Sequence, residues 1–179
     1  QPTVTYSALT SYKFSGRFVS DQIFGGGGGG ITNSTIIMYI LAFVNTVVFH
    51  YLMNVLSQTL NFEVGQIGQQ PIIVEEKSRS RIETITSENV KLSKLDWNSY
   101  ENSWDFKGHP LVLGRLPEPV WGDVPDRVAF QNTSISYTYQ MYWKKACEYR
   151  FEKLKANEEE LNRIFIDIYG LQDELTPDV

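Results

Sequence analysis

With 179 residues, 42% of them apolar and 13% aromatic, the chain is long enough to bury one sizeable core, and 21% charged residues exclude wholesale disorder. One cysteine, Cys147, excludes an internal disulfide framework, and two histidines, His50 and His109, argue against a histidine-rich metal centre. The net charge of -5 excludes a generally basic protein; it resides in the tail 148–179, while residues 1–74 carry only Lys13, Arg17, Asp21 and Glu63.

The start, Gln1-Pro2-Thr3, shows no secretory signal and reads as a piece of a longer polypeptide. Residues 3–24 are rich in Thr, Tyr, Ser, Phe and Val. Tyr12, Phe14, Gly16 and Phe18 share one parity and Lys13, Ser15 and Arg17 the other, which predicts one or two strands with a polar face. Gly25 to Gly30 read as a flexible loop or linker, because six glycines lose much entropy on ordering. A phosphate-cradling loop would need Lys-Ser/Thr behind it, and Ile31-Thr32-Asn33 follows instead.

Residues 34–57 predict a buried helix, capped by Thr32, Asn33 or Ser34 and interrupted by Asn45-Thr46. Its length raises a membrane span, but Asn45, His50 and Asn54 and the lack of flanking basic clusters argue against one. His50 reads as a satisfied core histidine, since no second ligand lies at helical spacing. Residues 59–67 alternate, with Leu60, Phe62 and Val64 on one face, and predict a strand; Pro71 to Val74 is a short extended apolar run.

Residues 75–92 change composition abruptly, and Glu75 to Arg81, polar and charged, reads as an exposed connection. Ser93 opens a helix through Trp104, with Trp97, Tyr100 and Trp104 as a core-facing stripe. Residues 105–134, with four prolines and three glycines, read as loop-rich. Helical periodicity returns from Ser134 to Leu171, with a fresh N-cap at Asn157 and a stop at Gly170 or Thr176-Pro177.

No Cys–His or Ser–His–Asp pairing suggests a catalytic site. An acidic-x-Lys triplet, Glu75-Glu76-Lys77, could serve a metal-dependent nuclease with Asp21 or Glu63, but a solvated charge run is the simpler reading. Two basic groupings suit phosphate: Lys77, Arg79 and Arg81 among serines, and Lys13 and Arg17 flanking Ser15.

The tail from Leu154 to Pro177 (Glu158-Glu159-Glu160-Leu161-Asn162-Arg163-Ile164-Phe165-Ile166-Asp167-Ile168-Tyr169-Gly170) strongly resembles the C-terminal region of PglX-type adenine-specific DNA methyltransferases of BREX phage-defence systems, and of related type IIG restriction-modification enzymes. Tyr39 to Asn45, Thr59 to Ile67 and Leu95-Asp96-Trp97 to Phe106 resemble the same family, in its order. The resemblance implies recognition of double-stranded DNA for a methyltransferase that flips out an adenine and methylates N6 from S-adenosylmethionine. The family's Asn/Asp-Pro-Pro-Tyr/Phe tetrapeptide and its glycine-containing cofactor loop are absent, so this piece should not methylate by itself and should hold no cofactor.

The expectation is therefore an α+β fragment with three parts. Residues 1–76 are a partial target recognition domain, 77–133 a connection with one short helix, and 134–179 a helical spacer or dock. Lys13, Ser15, Arg17, Lys77, Arg79 and Arg81 are the candidate DNA contacts, with the acidic tail facing away. The implied partners are duplex DNA, the parent's methyltransferase domain and other defence-system proteins, in the cytoplasm and without a membrane. The alternatives are a protein-interaction module, a membrane-anchored accessory protein or a nuclease.

Overall fold

Alternating Thr3, Val4, Thr5 and Tyr6 favour an extended chain, and β1 (Thr3–Ser7) is the central strand of a small antiparallel sheet. Its neighbours are β2 (Arg17–Val19) and β3 (Gly28–Thr32), in the order β2-β1-β3. The structure is a computed structural model that describes residues 1–11, 13–20, 26–33, 35–56, 61–113 and 134–179. The chain is α+β, as its sequence indicates. Its contacts divide into two units, Gln1–Ser87 with Asn157–Val179, and Glu88–Ala156.

The glycine run departs from the flexible-loop expectation: Gly28, Gly29 and Gly30 pair with Ser7, Tyr6 and Thr5. The reason is close approach. A methyl group on Gly29 would collide with the ring and hydroxyl of Tyr6, which lies across it. Gly29→Ala should therefore cost about 1–3 kcal/mol, as overpacked sites do; urea denaturation measures it, and Gly26→Ala, whose added methyl meets nothing within 4 Å, is the matched control.

Asn33 opens the helical region, its Oδ1 accepting the N–H groups of Thr35 and Ile36 at 2.8 and 3.0 Å. The single helix expected over 34–57 is two, α1 (Ile37–Val44) and α2 (Val47–Leu56), bent by 70° at Asn45-Thr46. Ser34 lies outside the described residues, as do Tyr12, Asp21, Leu60 and most of the proline-rich stretch 105–134. Among the described residues no single helix is long and apolar enough to cross a membrane, although the bent pair passes by composition and length. That pair is core: Ile37, Tyr39, Ile40, Leu41, Phe43, Val44, Val48, Phe49 and Met53 are all buried.

The strand expected over 59–67 is a correction. Asn61 makes one isolated bridge with Leu9, and Val64–Gly68 is a short helix, α3. Gln66 Oε1 accepts the Glu63 N–H at 3.2 Å, a capping interaction that overrides the alternating pattern. The run 71–75 is held by two phenols. Tyr39 donates to Ile73 O at 2.8 Å, Tyr169 donates to Pro71 O at 2.5 Å, and Ile73 N–H donates to Tyr169 at 3.1 Å.

The exposed connection expected over Glu75 to Arg81 is instead the first part of a long helix, α4 (Glu76–Trp97). Its hydroxyls are absorbed locally, with Thr84, Thr86 and Ser87 donating to carbonyls four residues back. In the first unit α4 buries Ile82 and Thr86. Nor does the helix restart at Asn157. That residue is buried within one continuous helix, α7 (Lys144–Tyr169), because no glycine or proline interrupts it. α7 ends at Gly170, whose φ of +66° is the left-handed stop of a helix C-terminus. Phe165 and Tyr169 of α7 meet Phe43, and Phe165 also meets Tyr39, at ring separations of 5.3 to 5.6 Å.

In the second unit, α5 (Pro110–Leu113) and α6 (Ile135–Thr138) precede a π-helical turn, Tyr139–Trp143, that runs into α7. Leu92, Trp143 and Ala146 are buried. The Arg150 guanidinium, also buried, lies 5.0 Å from the Trp143 ring and 3.4 Å from Asp96. Trp97, Tyr100 and Trp104 are exposed, against the expected core-facing stripe. The helix ends at Trp97, so the 3.6-residue period no longer governs where Tyr100 and Trp104 fall.

Candidate nucleic-acid interface

All six candidate contacts belong to the first unit, on two separate elements. The N-terminal group sits on the segment leading into β2. Lys13, Ser15 and Arg17 are exposed, while Phe14 between them is buried, so the polar parity expected from the sequence is realised. Phe14 is wedged among the rings of Tyr6, Phe49 and Phe62 at 5.1, 4.9 and 5.2 Å. An extended segment held inward at Phe14 presents the residues on either side of it outward.

His50 supports this segment from α2. Its Nε2 lies 2.9 Å from the carbonyl of Phe14, so Nε2 carries the proton and donates. Burial pushes its pKa below the ordinary 6.5, and nearby Lys13 pushes the same way, against the hydrogen bond to Phe14 O. The folded chain then binds this proton less readily than the unfolded chain. Stability attributable to His50 is complete above about pH 6.5 and falls as pH drops below it towards the folded value. His50→Gln, which keeps a donor for Phe14 O, should lose less stability than the parent between pH 7.5 and 5. Parallel denaturation at both values checks this. Glu158, whose pKa burial raises, acts in the opposite direction and cancels in the comparison.

The second group starts α4. Lys77 and Arg81 are exposed and one helical turn apart; Arg79 is half-buried on another face. Arg79 is committed within the protein: it pairs with Glu83 at 2.9 Å and Glu76 at 3.5 Å, and donates to Thr35 O at 2.9 Å. Its hydrogen bond to the Glu83 carboxylate holds it above the ordinary arginine value. Arg81 pairs with Glu160 at 2.5 Å. The acidic tail therefore does not stand clear of the basic trio as expected, because α7 brings Glu160 against it. Lone basic residues in the sequence gave no hint of these partners, since Glu160 is 79 residues away.

Sequence reasoning missed the residues that fix these elements. Asn45 bonds both the N–H and the C=O of Gly16, at 3.0 and 3.1 Å. Asn162 Oδ1 accepts the Val47 N–H at 3.0 Å, and its Nδ2 donates to Pro177 O at 3.0 Å. For Asn45 the available signal was a polar residue breaking an apolar run; for Asn162, buried in the mixed helix α7, there was none. Of the nuclease candidates, Glu75 accepts from Ser78 at 2.5 Å. Among the described residues no three acidic, histidine or cysteine side chains converge as a metal site.

Across 98% of its length the chain is 35% identical to the adenine-specific methyltransferase PglX of Lacticaseibacillus casei (strain Zhang). The chain is a relative of the PglX-type adenine-specific methyltransferases. A second relative, the adenine-specific methyltransferase BrxX of Escherichia coli O9:H4 (strain HS), is 25% identical over 96% of the chain. No family model matches. The chain spans about one seventh of the curated relatives it matches, 14% of PglX and 13% of BrxX.

Neither the glycine run nor the cavity beside it fits the S-adenosylmethionine site that a PglX-type enzyme implies. Gly28–Gly30 run extended alongside β1, so they do not curl into a loop that cradles a cofactor. A cavity of about 320 Å³ beside them is walled by Tyr6, Ile40, Phe43, Phe49 and Ile67, and no carboxylate lines it to hold ribose hydroxyls.

Proposed function

We propose that the chain is the target-recognition portion of a site-specific N6-adenine DNA methyltransferase acting in phage defence or restriction–modification. The colinear 35% identity to PglX over 98% of the chain is the observation that carries this reading. It is strengthened by what the stretch lacks, the family's catalytic tetrapeptide, which leaves a non-chemical task for it within such an enzyme. In this account the parent supplies S-adenosylmethionine chemistry, and this portion sets where on duplex DNA it acts.

The division of labour follows charge and exposure. Lys13, Ser15 and Arg17 offer two cations and a hydroxyl at alternate positions of one segment, and Lys77 adds a third cation at the start of α4. Arg81, exposed and paired with Glu160 alone among the bonds above, joins by exchanging carboxylate for phosphate, as a surface ion pair is held weakly enough to do; Arg79, tied to Glu76, Glu83 and Thr35 O, joins only by giving up those bonds. Each phosphate contact releases counterions, so duplex affinity should fall by a log–log salt slope of roughly 0.9 per contact. Titrating the chain with duplex DNA between low and moderate salt tests this. Charge reversal at Arg79 and Arg81 should weaken binding, and unchanged affinity removes both from the contact set.

A second reading has its own support. Trp97, Tyr100, Trp104 and Phe151 of the second unit are exposed. Aromatic side chains are enriched at protein–protein interfaces, so four exposed ones in a single unit favour a protein-binding role. In this reading the helical part docks onto the parent's methyltransferase domain or another defence protein. The two readings are compatible, because they use different residues.

A further inference from the structure

We propose that Asn45 is a positioning residue for the DNA-reading segment 13–17, an inference that rests on the recognition reading above. Asn45 stands at the 70° break between α1 and α2, and its side chain is spent entirely on backbone. Its Oδ1 accepts the Gly16 N–H at 3.0 Å, and its Nδ2 donates to Gly16 O at 3.1 Å and to Leu41 O at 2.9 Å.

Two antiparallel bonds to one residue reproduce what a neighbouring strand would supply. They fix both the position and the rotation of that peptide, which one bond cannot do. The bond to Leu41 O in turn fixes the carboxamide, so the clamp is tied to α1 rather than to a free rotamer. Gly16 is matched to the clamp: a Cβ there would lie 2.6 Å from Val44 Cγ2 and 3.0 Å from Val4 Cγ1. A larger residue would lift the segment off the helix.

The polarity of Asn45 is not forced by an apolar setting, because the residue is exposed. What it does is hold the residue midway between Ser15 and Arg17. With Phe14 packed inward and tied to His50, residues 14 and 16 are both anchored, and Lys13, Ser15 and Arg17 project from a fixed base. Asn45 itself contacts none of these three side chains in the bonds it makes. It acts through Gly16, and its effect should appear in discrimination between sequences more than in charge-driven affinity.

The test uses the 179-residue chain and a randomised duplex DNA pool, from which the parent chain enriches a preferred duplex. Affinities for that duplex and a scrambled version are then compared well below the thermal midpoint of every variant. The double variant Lys13→Ala/Arg17→Ala tests the recognition reading, and should cut affinity for both duplexes at least tenfold and flatten the salt slope. Asn45→Ala keeps both cations, and should reduce the preference for the enriched duplex about tenfold while the salt slope on scrambled DNA changes little. Gly16→Ala, which leaves Asn45 in place but pushes the segment outward, should give the same signature and serves if Asn45→Ala does not fold. Intact preference in both positioning variants, alongside loss in the cation variant, overturns the role of Asn45 and leaves the recognition reading standing. An equal fractional loss on both duplexes also overturns it, since that is what general destabilisation produces. Failure of the parent chain to enrich any duplex, or of the cation variant to lose affinity, overturns the recognition reading and the inference with it.

Discussion

Phe43→Ala should lower the free energy of unfolding by about 3–5 kcal/mol, the range for deleting a buried aromatic ring. Phe43 is 1% exposed and is the meeting point of the first unit's aromatic core. Its ring touches Phe49 of α2 at 5.5 Å and Phe165 and Tyr169 of α7 at 5.6 and 5.5 Å. Truncation removes all three contacts and enlarges the adjoining cavity of about 320 Å³. The neighbours are fixed by their own bonds, Tyr169 by the two it makes to the segment 71–73, so they cannot collapse into the space. The cost should therefore lie at the upper end of the range. Phe43→Leu, which keeps most of the volume, should cost far less. Equilibrium denaturation in urea measures both; a Phe43→Ala midpoint equal to that of the parent would mean these rings do not form one core.

Asn162→Ala should cost about 2–4 kcal/mol, an unusually large loss for one side-chain amide. Asn162 is 4% exposed and answers two backbone groups from distant segments. Val47 is the first residue of α2, so its N–H has no partner inside its own helix, and Asn162 Oδ1 supplies one. The Nδ2 then ties Pro177 O, fastening the end of the chain to α7. Replacement strands the Val47 N–H in a partly buried site and frees the tail. Thermal unfolding gives the loss. Hydrogen exchange locates it, with faster exchange at the start of α2 and none of that acceleration in a variant truncated only after Thr176.

How much of this was legible in the sequence depends on which physical signal carried each element. The first strands and the inward Phe14 were visible because alternation is a local signal. The break at Asn45-Thr46 showed as two polar residues in an apolar run, although its angle did not. Residues 75–81 misled because α4 buries few side chains, chiefly Ile82, Thr86 and Leu92, leaving little apolar periodicity to read. Residues 61–68 misled in the other direction, since the alternation of Phe62 and Val64 outweighed the weaker capping signal of Glu63 and Gln66.

The candidate contacts were visible as residue types but not as charges in context. Lys13, Ser15 and Arg17 stay on one exposed parity because the residues between them are held inward, Phe14 by its ring contacts and Gly16 by Asn45. Arg79 and Arg81 found carboxylates, and the partner of Arg81 comes from the far end of the chain, a pairing that spacing cannot reveal. The clamp of Asn45 on Gly16 is of the same kind. Each residue is ordinary in sequence, and only the fold brings them into register.

The most direct measurement exchanges this segment between two full-length relatives, PglX and BrxX, and maps methylated adenines in the DNA of cells expressing each hybrid. If this stretch reads the target, the methylated motif should travel with the exchanged segment. A motif that stays with the recipient enzyme, in a hybrid that still methylates, would contradict the account.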